Sequence, residues 1–362
     1  MSRHYIIPIF VPHFGCPHDC VFCNQKRITG LSTNVTPMEV EKIIEEHLAT
    51  FIPDSFIEVA FYGGSFTAID LDIQSKLLEV PYKFKKIGKI NNIRLSTRPD
   101  AIDETILGNL KKYTVDTIEL GVQSLDDKVL YASGRGHTSE DVYRAAKFIK
   151  SYGFKLGLQM MIGLPGDSLD KDLYTCKEFI KLSPSCVRVY PTLVIKETFL
   201  EKLYLNEKYR PISLEEAVDI SSLLLMLFNI NNIEVIRMGL QPTENIQLGK
   251  DVVAGPFHPA FRQLVESNIF KLLFEYYIKF LNISTENMIL KIEANNKSIS
   301  SIAGQKSSNI SYFTEKFKFK KIKIYPKEID RDIIKIILDE ITYEMDFKSL
   351  IMAYLKDNFI ID

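Results

Sequence analysis

The chain has 362 residues, 46% of them hydrophobic and 25% charged, with a net charge of −1. This is the composition of an ordinary soluble globular protein long enough for two domains. Its near-neutral balance excludes a whole-molecule field that would draw it to nucleic acid or membrane, so any such binding has to be local.

The longest apolar runs, such as Leu223-Leu224-Leu225-Met226-Leu227-Phe228, are far too short to span a bilayer. The Pro-broken segment Ile6 to Pro12 is not a signal h-region. Five cysteines with three of them clustered do not make a disulfide framework. No membrane association and a cytoplasmic location are expected.

In chain order, Tyr5 to Val11 reads as a buried strand, and a loop rich in cysteine leaves its C-terminal end. Cys16, Cys20 and Cys23 have C-x3-C-x2-C spacing, which can turn three thiolates toward one point. A [4Fe–4S] cluster normally takes four cysteines, so three would leave one iron open to a ligand that is not protein. The other use of the loop is a Cys3His zinc site drawing on His13 or His18. Against zinc, His18 lies between Cys16 and Cys20, and no second ligand pair follows.

Thr36-Pro37-Met38-Glu39 opens a helix with Thr as N-cap, Pro at the first position and Glu at the third. A strand from Phe56 to Tyr62 then runs into Gly63-Gly64-Ser65. This is a tight turn in itself, and also one where backbone can approach a small ligand closely. The cycle repeats through strands at Ile93–Ser96, Thr117–Val122, Lys155–Ile162, Cys186–Tyr190 and Glu234–Met238. Helices are expected between them at Ile73–Val80, Glu104–Tyr113, Ser139–Tyr152, Lys171–Leu182 and Leu214–Phe228. Strands alternating with helices at this interval predict a parallel sheet with helical crossovers. Each distinctive stretch falls at the C-terminal end of a strand, where barrel enzymes place their chemistry.

Three of those stretches carry candidate contacts. Ser96-Thr97-Arg98-Pro99-Asp100 reads as a strand stop with an N-cap Asp. Gln123, at a strand end, and Arg135, about a dozen residues later, can converge on one carboxylate, for which Arg supplies a bidentate fork. Gln159-Met160-Met161-Ile162-Gly163-Leu164-Pro165-Gly166 is a buried strand entering a turn. Cys176 is read as a core residue and Cys186 as the start of a strand, and neither as a ligand.

Beyond Gly249 the rhythm changes, and a smaller α+β domain is expected, with the boundary near 245. It contains a long helix to about Leu281, a strand Met288–Glu293, a polar stretch Ser298–Asn309 and a basic strand Phe317–Tyr325. One or two helices from Asp330 close it. Lys316-Phe317-Lys318-Phe319-Lys320-Lys321-Ile322-Lys323 interleaves basic and aromatic residues, as surfaces that track nucleic acid do. It equally alternates as an exposed strand whose lysines prevent edge pairing.

The cysteine loop, the Gly-Gly turn and the strand-end residues together resemble the radical S-adenosylmethionine (SAM) superfamily. Val122-Gln123-Ser124, Arg135-Gly136-His137-Thr138, Met160-Met161-Ile162-Gly163-Leu164-Pro165-Gly166 and Tyr190-Pro191-Thr192, in this order, resemble the catalytic subunit of Elongator and its bacterial relatives. The similarity continues through Tyr209-Arg210-Pro211 and Val235-Ile236-Arg237-Met238.

The resemblance implies a partial (β/α)6 TIM-like barrel over residues 1–245 and a C-terminal α+β domain over 246–362 for substrate binding or capping. It implies a [4Fe–4S] cluster on Cys16, Cys20 and Cys23, with SAM on its open iron. SAM contacts are implied for Phe22, Gly63, Gly64, Ser65, Ser96, Gln123, Arg135 and Gln159, with Ser65 and Ser96 standing where many members carry Glu. One-electron cleavage of SAM to a 5′-deoxyadenosyl radical follows, with flavodoxin or ferredoxin as electron donor. RNA of the tRNA type is the implied substrate, and a small molecule such as a porphyrin is the alternative. No Gly-rich acetyl-CoA loop is seen in the last hundred residues, so a relative without acetyltransferase domain is expected. No residue is singled out as catalytic.

Overall fold

The structure, a computed structural model, describes residues 3–11, 20–24, 35–243 and 245–361. Seven strands form one sheet in sequence order: β1 (His4–Val11), β2 (Phe56–Gly63), β3 (Asn92–Thr97), β4 (Thr117–Gln123), β5 (Lys155–Ile162), β6 (Cys186–Pro191) and β7 (Glu234–Met238). Every neighbouring pair is parallel. A parallel pair needs a crossover, and helices supply them. They are α1 (Pro37–Leu48), α2 (Leu71–Lys86), α3 (Glu104–Lys112), α4 (Asp127–Ala132), α5 (Ser139–Ser151), α6 (Leu169–Leu182), α7 (Phe199–Leu205) and α8 (Leu214–Ile230). β1 and β7 are not paired with each other, so the sheet is a half-barrel rather than a closed one, as the sequence leads one to expect.

The first helix begins as its sequence dictates. Thr36 Oγ1 accepts from Glu39 N at 3.3 Å while Glu39 Oε2 accepts from Thr36 N at 2.7 Å. These bonds satisfy two groups that a helix start leaves open.

Alternation along the strands sorts the sheet into two faces. Outward residues such as Val59, Phe61, Ile93, Leu95, Ile118 and Leu120 are fully buried and apolar. The concave face is polar at its base, where Glu119 on β4 accepts from Arg94 on β3 at 2.8 Å and from Arg188 on β6 at 2.5 Å. Arg94 also pairs with Glu58 on β2 at 2.9 Å, and Arg188 donates to the Tyr62 hydroxyl at 2.6 Å. Since β6 is four strands removed from β2, that last bond requires the sheet to curl.

Burial works against the Arg94 and Arg188 charges. Glu119, joined by Glu58 at Arg94, outweighs it and holds both guanidiniums above their usual range. Burial and the Glu119 charge push the Tyr62 hydroxyl up to about 12. Gly157 makes room for this cluster, because a Cβ there would lie 2.8 Å from Glu119 Cγ and 3.2 Å from Cys186 Sγ.

The chain divides into two compact units, one of Met1–Leu214 with Ile233–Phe257, the other of Glu215–Asn232 with His258–Asp362. Helix α8, which the sequence reading grouped with the barrel, therefore falls almost wholly within the second unit. There Asn268 donates to Asp219 at 2.8 Å and to Ser222 at 3.1 Å. The second unit also contains α9 (Phe261–Leu281), β8 (Ile289–Asn295), α10 (Ile299–Ala303), α11 (Ser308–Phe317), β9 (Lys321–Lys327), β10 (Ile333–Leu338), β11 (Ile341–Asp346) and α12 (Phe347–Asp357). Its sheet runs in the order β9–β8–β10–β11.

Two expectations are corrected here. Residues from Asp330 do not begin with helix: β10 and β11 form an antiparallel hairpin, and only α12 follows. Phe317 ends a helix rather than starting a strand, and Phe319 is buried in the apolar core, so the aromatics of the basic stretch serve packing.

Glu119→Ala would leave Arg94 and Arg188 short of a buried counter-charge. We expect an unfolding free energy lower by about 3–5 kcal/mol in chemical denaturation. A loss under about 1 kcal/mol would show that the ion cluster does not hold the concave face together.

Candidate cofactor site at the strand C-termini

Above the Glu119 cluster, the strand ends meet the last part of the cysteine segment. Cys16, His13 and His18 lie outside the described residues; Cys20 and Cys23 are within them. Residues 20–24 are docked by backbone bonds, with Val21 N donating to Ser133 O at 3.0 Å and Leu200 N donating to Val21 O at 2.7 Å. Asn24 Nδ2 donates to Lys196 O at 3.3 Å. Val21 is buried with Val194, Leu200 and Tyr209, and Phe22 packs partly buried against the same cluster. The segment is therefore held on its apolar side, with the sulfur of Cys20 turned toward two guanidiniums. Arg135 Nη1 donates to Cys20 Sγ at 3.2 Å, and Arg98 Nη1 approaches it at 4.0 Å.

Both arginines are buried and held from several sides. Arg98 grips Asp100 with two bonds, at 2.9 and 3.0 Å, and donates to the carbonyl of Arg135. Arg135 donates to the carbonyl of Gly121. A Cβ at Gly121 would come within 3.2 Å of Gln123 Nε2 and 3.5 Å of Arg135 Nη2, so the glycine lets both side chains reach the strand end. Gln123 has a φ of +74° at the irregular end of β4, and its Oε1 accepts from Gln159 Nε2 at 3.3 Å. Gln123, Arg135 and Gln159 are thus brought together around Gly121. Ser96 is half-buried on β3, two residues beyond Arg94 on the same face and in register with Glu119.

The Gly-Gly turn is shaped by its backbone. Gly63 has a φ of +104°, and a Cβ there would meet the Val11 carbonyl oxygen at 2.8 Å. Only glycine fits such a position without strain. Gly64 N donates to Val11 O at 3.2 Å, which ties the turn to the end of β1. Ser65 is 2% exposed, with its hydroxyl 2.9 Å from Thr97 Oγ1 and accepting from Arg98 N at 3.1 Å. Its side chain is engaged in joining the ends of β2 and β3.

Sequence alone does not single out two residues of this constellation. Arg98 reads as part of a strand stop, and Asp100, which reads as an N-cap, is instead its partner; the helix cap is Asp103, which accepts from Ile106 N at 2.8 Å. The spacing Arg-x-Asp just past a strand end was the available signal. His137 stands in the sequence only as one member of the Arg135-Gly136-His137-Thr138 motif. It is 3% exposed, with Nε2 3.2 Å from Val122 O and Nδ1 lacking a partner. Burial first, and then the Arg135 and Arg98 charges, lower its pKa to about 3.

The donor set fits an iron–sulfur centre with a polar small molecule beside it. Two thiols lie on a docked segment. Arg135 Nε and His137 Nδ1 are buried without a hydrogen-bond partner, an arrangement that ordinarily costs stability unless a ligand or water meets it.

His137 also makes stability depend on acid. Its folded-state pKa lies below the usual imidazole value, so the unfolded chain binds the extra proton and stability falls as pH drops from about 6.5 toward 3. This one group contributes a slope of up to about 1.4 kcal/mol per pH unit in that window. Denaturation midpoints measured from pH 7 to 4 should fall less steeply in His137→Gln, and an unchanged slope would contradict the assignment.

Comparison with known proteins gives this site a family. The radical SAM superfamily model matches residues 10–177, and the Radical_SAM C-terminal domain model matches residues 184–271. A tRNA uridine(34) acetyltransferase of Methanocaldococcus infernus is 28% identical over 257 residues, spanning 60% of this chain and 48% of that protein. Elongator complex protein 3 of Saccharomyces cerevisiae is 32% identical over 159 residues, spanning 43% of this chain and 28% of that protein. The chain thus spans about half, or less, of the length of these relatives. The solved archaeal Elp3 of M. infernus with an N-terminal deletion shares the fold, with a TM-score of 0.56 at 20% identity, covering 96% of this chain and 76% of that one. The two family models follow one another over the half-barrel, its cysteine segment and what comes after, and the chain belongs to the radical SAM superfamily.

Proposed function

We propose that the chain is a radical SAM enzyme that binds a [4Fe–4S] cluster through Cys16, Cys20 and Cys23 and modifies RNA of the tRNA type in the cytoplasm. The observation that carries the reading is the convergence of Cys20, Arg98, Arg135, Gln123 and Gln159 at the C-terminal ends of β3, β4 and β5. When bound, the cluster and SAM would supply a one-electron reductive cleavage of SAM to methionine and a 5′-deoxyadenosyl radical.

The chain's own residues do the binding and positioning. Arg135, with its unpartnered Nε, supplies fixed positive charge for a carboxylate, and the amides of Gln123 and Gln159 supply donors and acceptors beside it. Gly63 and Gly64 carry no side chain that would hold a ligand away from their backbone, while Gly64 N is itself engaged by Val11 O. Ser65 contributes by fixing the strand ends rather than by reaching the cofactor. Arg98 positions Arg135 through its carbonyl and steadies the sulfur of Cys20. A guanidinium that donates to a ligand sulfur favours the reduced state of a cluster, since hydrogen bonds and charge near sulfur set its potential. A low-potential protein of the flavodoxin or ferredoxin type is the electron donor in this reading.

RNA as substrate is supported by the relatives, whose names specify tRNA uridine(34) and Elongator. The second unit, made of Glu215–Asn232 and His258–Asp362, is the proposed substrate-binding or capping part.

Anaerobic reconstitution followed by SAM and dithionite should yield 5′-deoxyadenosine. Cys16→Ala, Cys20→Ala and Cys23→Ala should each reduce the yield to background while the far-ultraviolet circular dichroism stays that of the parent. Retained cleavage in Cys20→Ala would overturn the cluster assignment. Unmodified tRNA should raise the yield; a porphyrinogen doing so in its place would overturn the RNA reading and leave the enzyme class standing.

A further inference from the structure

The sheet of the second unit has one apolar and one charged face. Leu290, Ile292, Ala294, Ile334, Ile336 and Leu338 pack with Phe270, Phe274 and Phe313 of the helices. The alternate residues lie on the opposite face, where Lys291, Lys321, Lys323 and Tyr325 are exposed. In the parallel pairing of β8 with β9, Lys291 is directly in register with Lys323. Like charges placed as cross-strand neighbours lower the stability of a sheet.

Edge protection does not explain the arrangement. Lysines on an edge strand discourage unwanted pairing, and β9 is an edge strand. Lys291, however, is on β8, which is paired on both sides by β9 and β10. Nor do local carboxylates neutralise the group: Glu293 is 3.6 Å from Lys327, and Glu344 is 3.9 Å from Lys335. Lys291, Lys321 and Lys323 remain as surplus positive charge, spaced by about 5 Å across strands and about 7 Å along one. Tyr325 follows Lys323 on the same face and is 38% exposed. Lys316, which the sequence grouped with these lysines, is separately engaged by Glu275 at 2.5 Å and by Tyr312 at 2.7 Å.

We propose that this lysine–tyrosine face is a docking surface for structured RNA, its ammonium groups on backbone phosphates and Tyr325 against a base. The inference rests on the RNA substrate reading above and names where that substrate is held. Clustered ammonium groups beside an exposed ring suit a chain of phosphates carrying stackable bases. An acidic protein would neutralise the lysines and leave the ring without a matching partner. Bound phosphate would also relieve the repulsion between Lys291 and Lys323.

The test uses the full chain, an unmodified tRNA transcript and fluorescence anisotropy from 50 to 200 mM salt. The triple variant K291A/K321A/K323A should bind about tenfold or more weakly, with a salt slope reduced by about 2 to 3 for three lost phosphate contacts. Lys291→Ala alone should raise the melting temperature while lowering RNA affinity, a pairing of effects that a merely structural lysine would not give. Removing three lysines of the first unit, K42A/K83A/K86A, should leave affinity within about twofold. Unchanged affinity in the sheet variant, or an equal loss in the control, would overturn the surface. If tRNA still stimulates 5′-deoxyadenosine formation in a sheet variant of unchanged affinity, the surface fails and the substrate reading stands. If the parent binds no tRNA, both fail. If the triple variant loses polyglutamate but keeps tRNA, the face belongs to an acidic protein and the proposal is overturned.

Discussion

Glu119 is the point on which the concave face of the half-barrel depends. A parallel sheet that curls without closing must fill its inner face with something other than a second apolar layer if a polar ligand is to lie above it. Here two guanidiniums from different strands meet one carboxylate, at 2.8 and 2.5 Å, and a second carboxylate and a tyrosine complete the set. Burying charges is unfavourable unless each finds its partners, and breaking such a set strands a charge in the interior. The network consequently ties β2, β3, β4 and β6 across the curl and leaves the layer above it free for chemistry.

That upper layer is built by the same alternation of side chains. Two residues beyond Arg94 stands Ser96; two and four beyond Glu119 stand Gly121 and Gln123; two beyond Gly157 stands Gln159. Small and polar residues thus follow the charged ones toward the strand ends, where Arg98 and Arg135 close on Cys20 from the loops. The glycines act by omission: Gly157 admits Glu119, Gly121 admits Gln123 and Arg135, and Gly63 admits the Val11 carbonyl.

Much of this was legible in the residues because local and tertiary signals agree. The Thr36–Glu39 box, the strand–helix rhythm and the placement of motifs at strand ends each follow from spacing alone. What was missed has physical reasons. Ile333, Ile334, Ile336 and Ile337 fit a helical spacing as well as a strand, and the hairpin that follows turns on Asp339 and Glu340 at φ +42° and +79°. Such turns usually announce themselves with Asn or Gly, and this one carries neither. Arg98 was missed because its partners, Asp100 aside, come from residues 20 and 135, which only the fold brings near. Phe317 and Phe319 looked like a nucleic-acid surface in sequence, but a left-handed Lys318 between helix and strand changes the alternation on which that reading relied.

The proposed role of the cysteine segment and the strand ends is to hold a SAM-binding iron–sulfur cluster. Electron paramagnetic resonance of the dithionite-reduced, anaerobically reconstituted chain tests it most directly, recorded with and without SAM. The expected result is the signal of a reduced [4Fe–4S] cluster whose g values shift when SAM is added. A protein that retains no iron, carries one zinc per chain and gives no signal in either condition would contradict it.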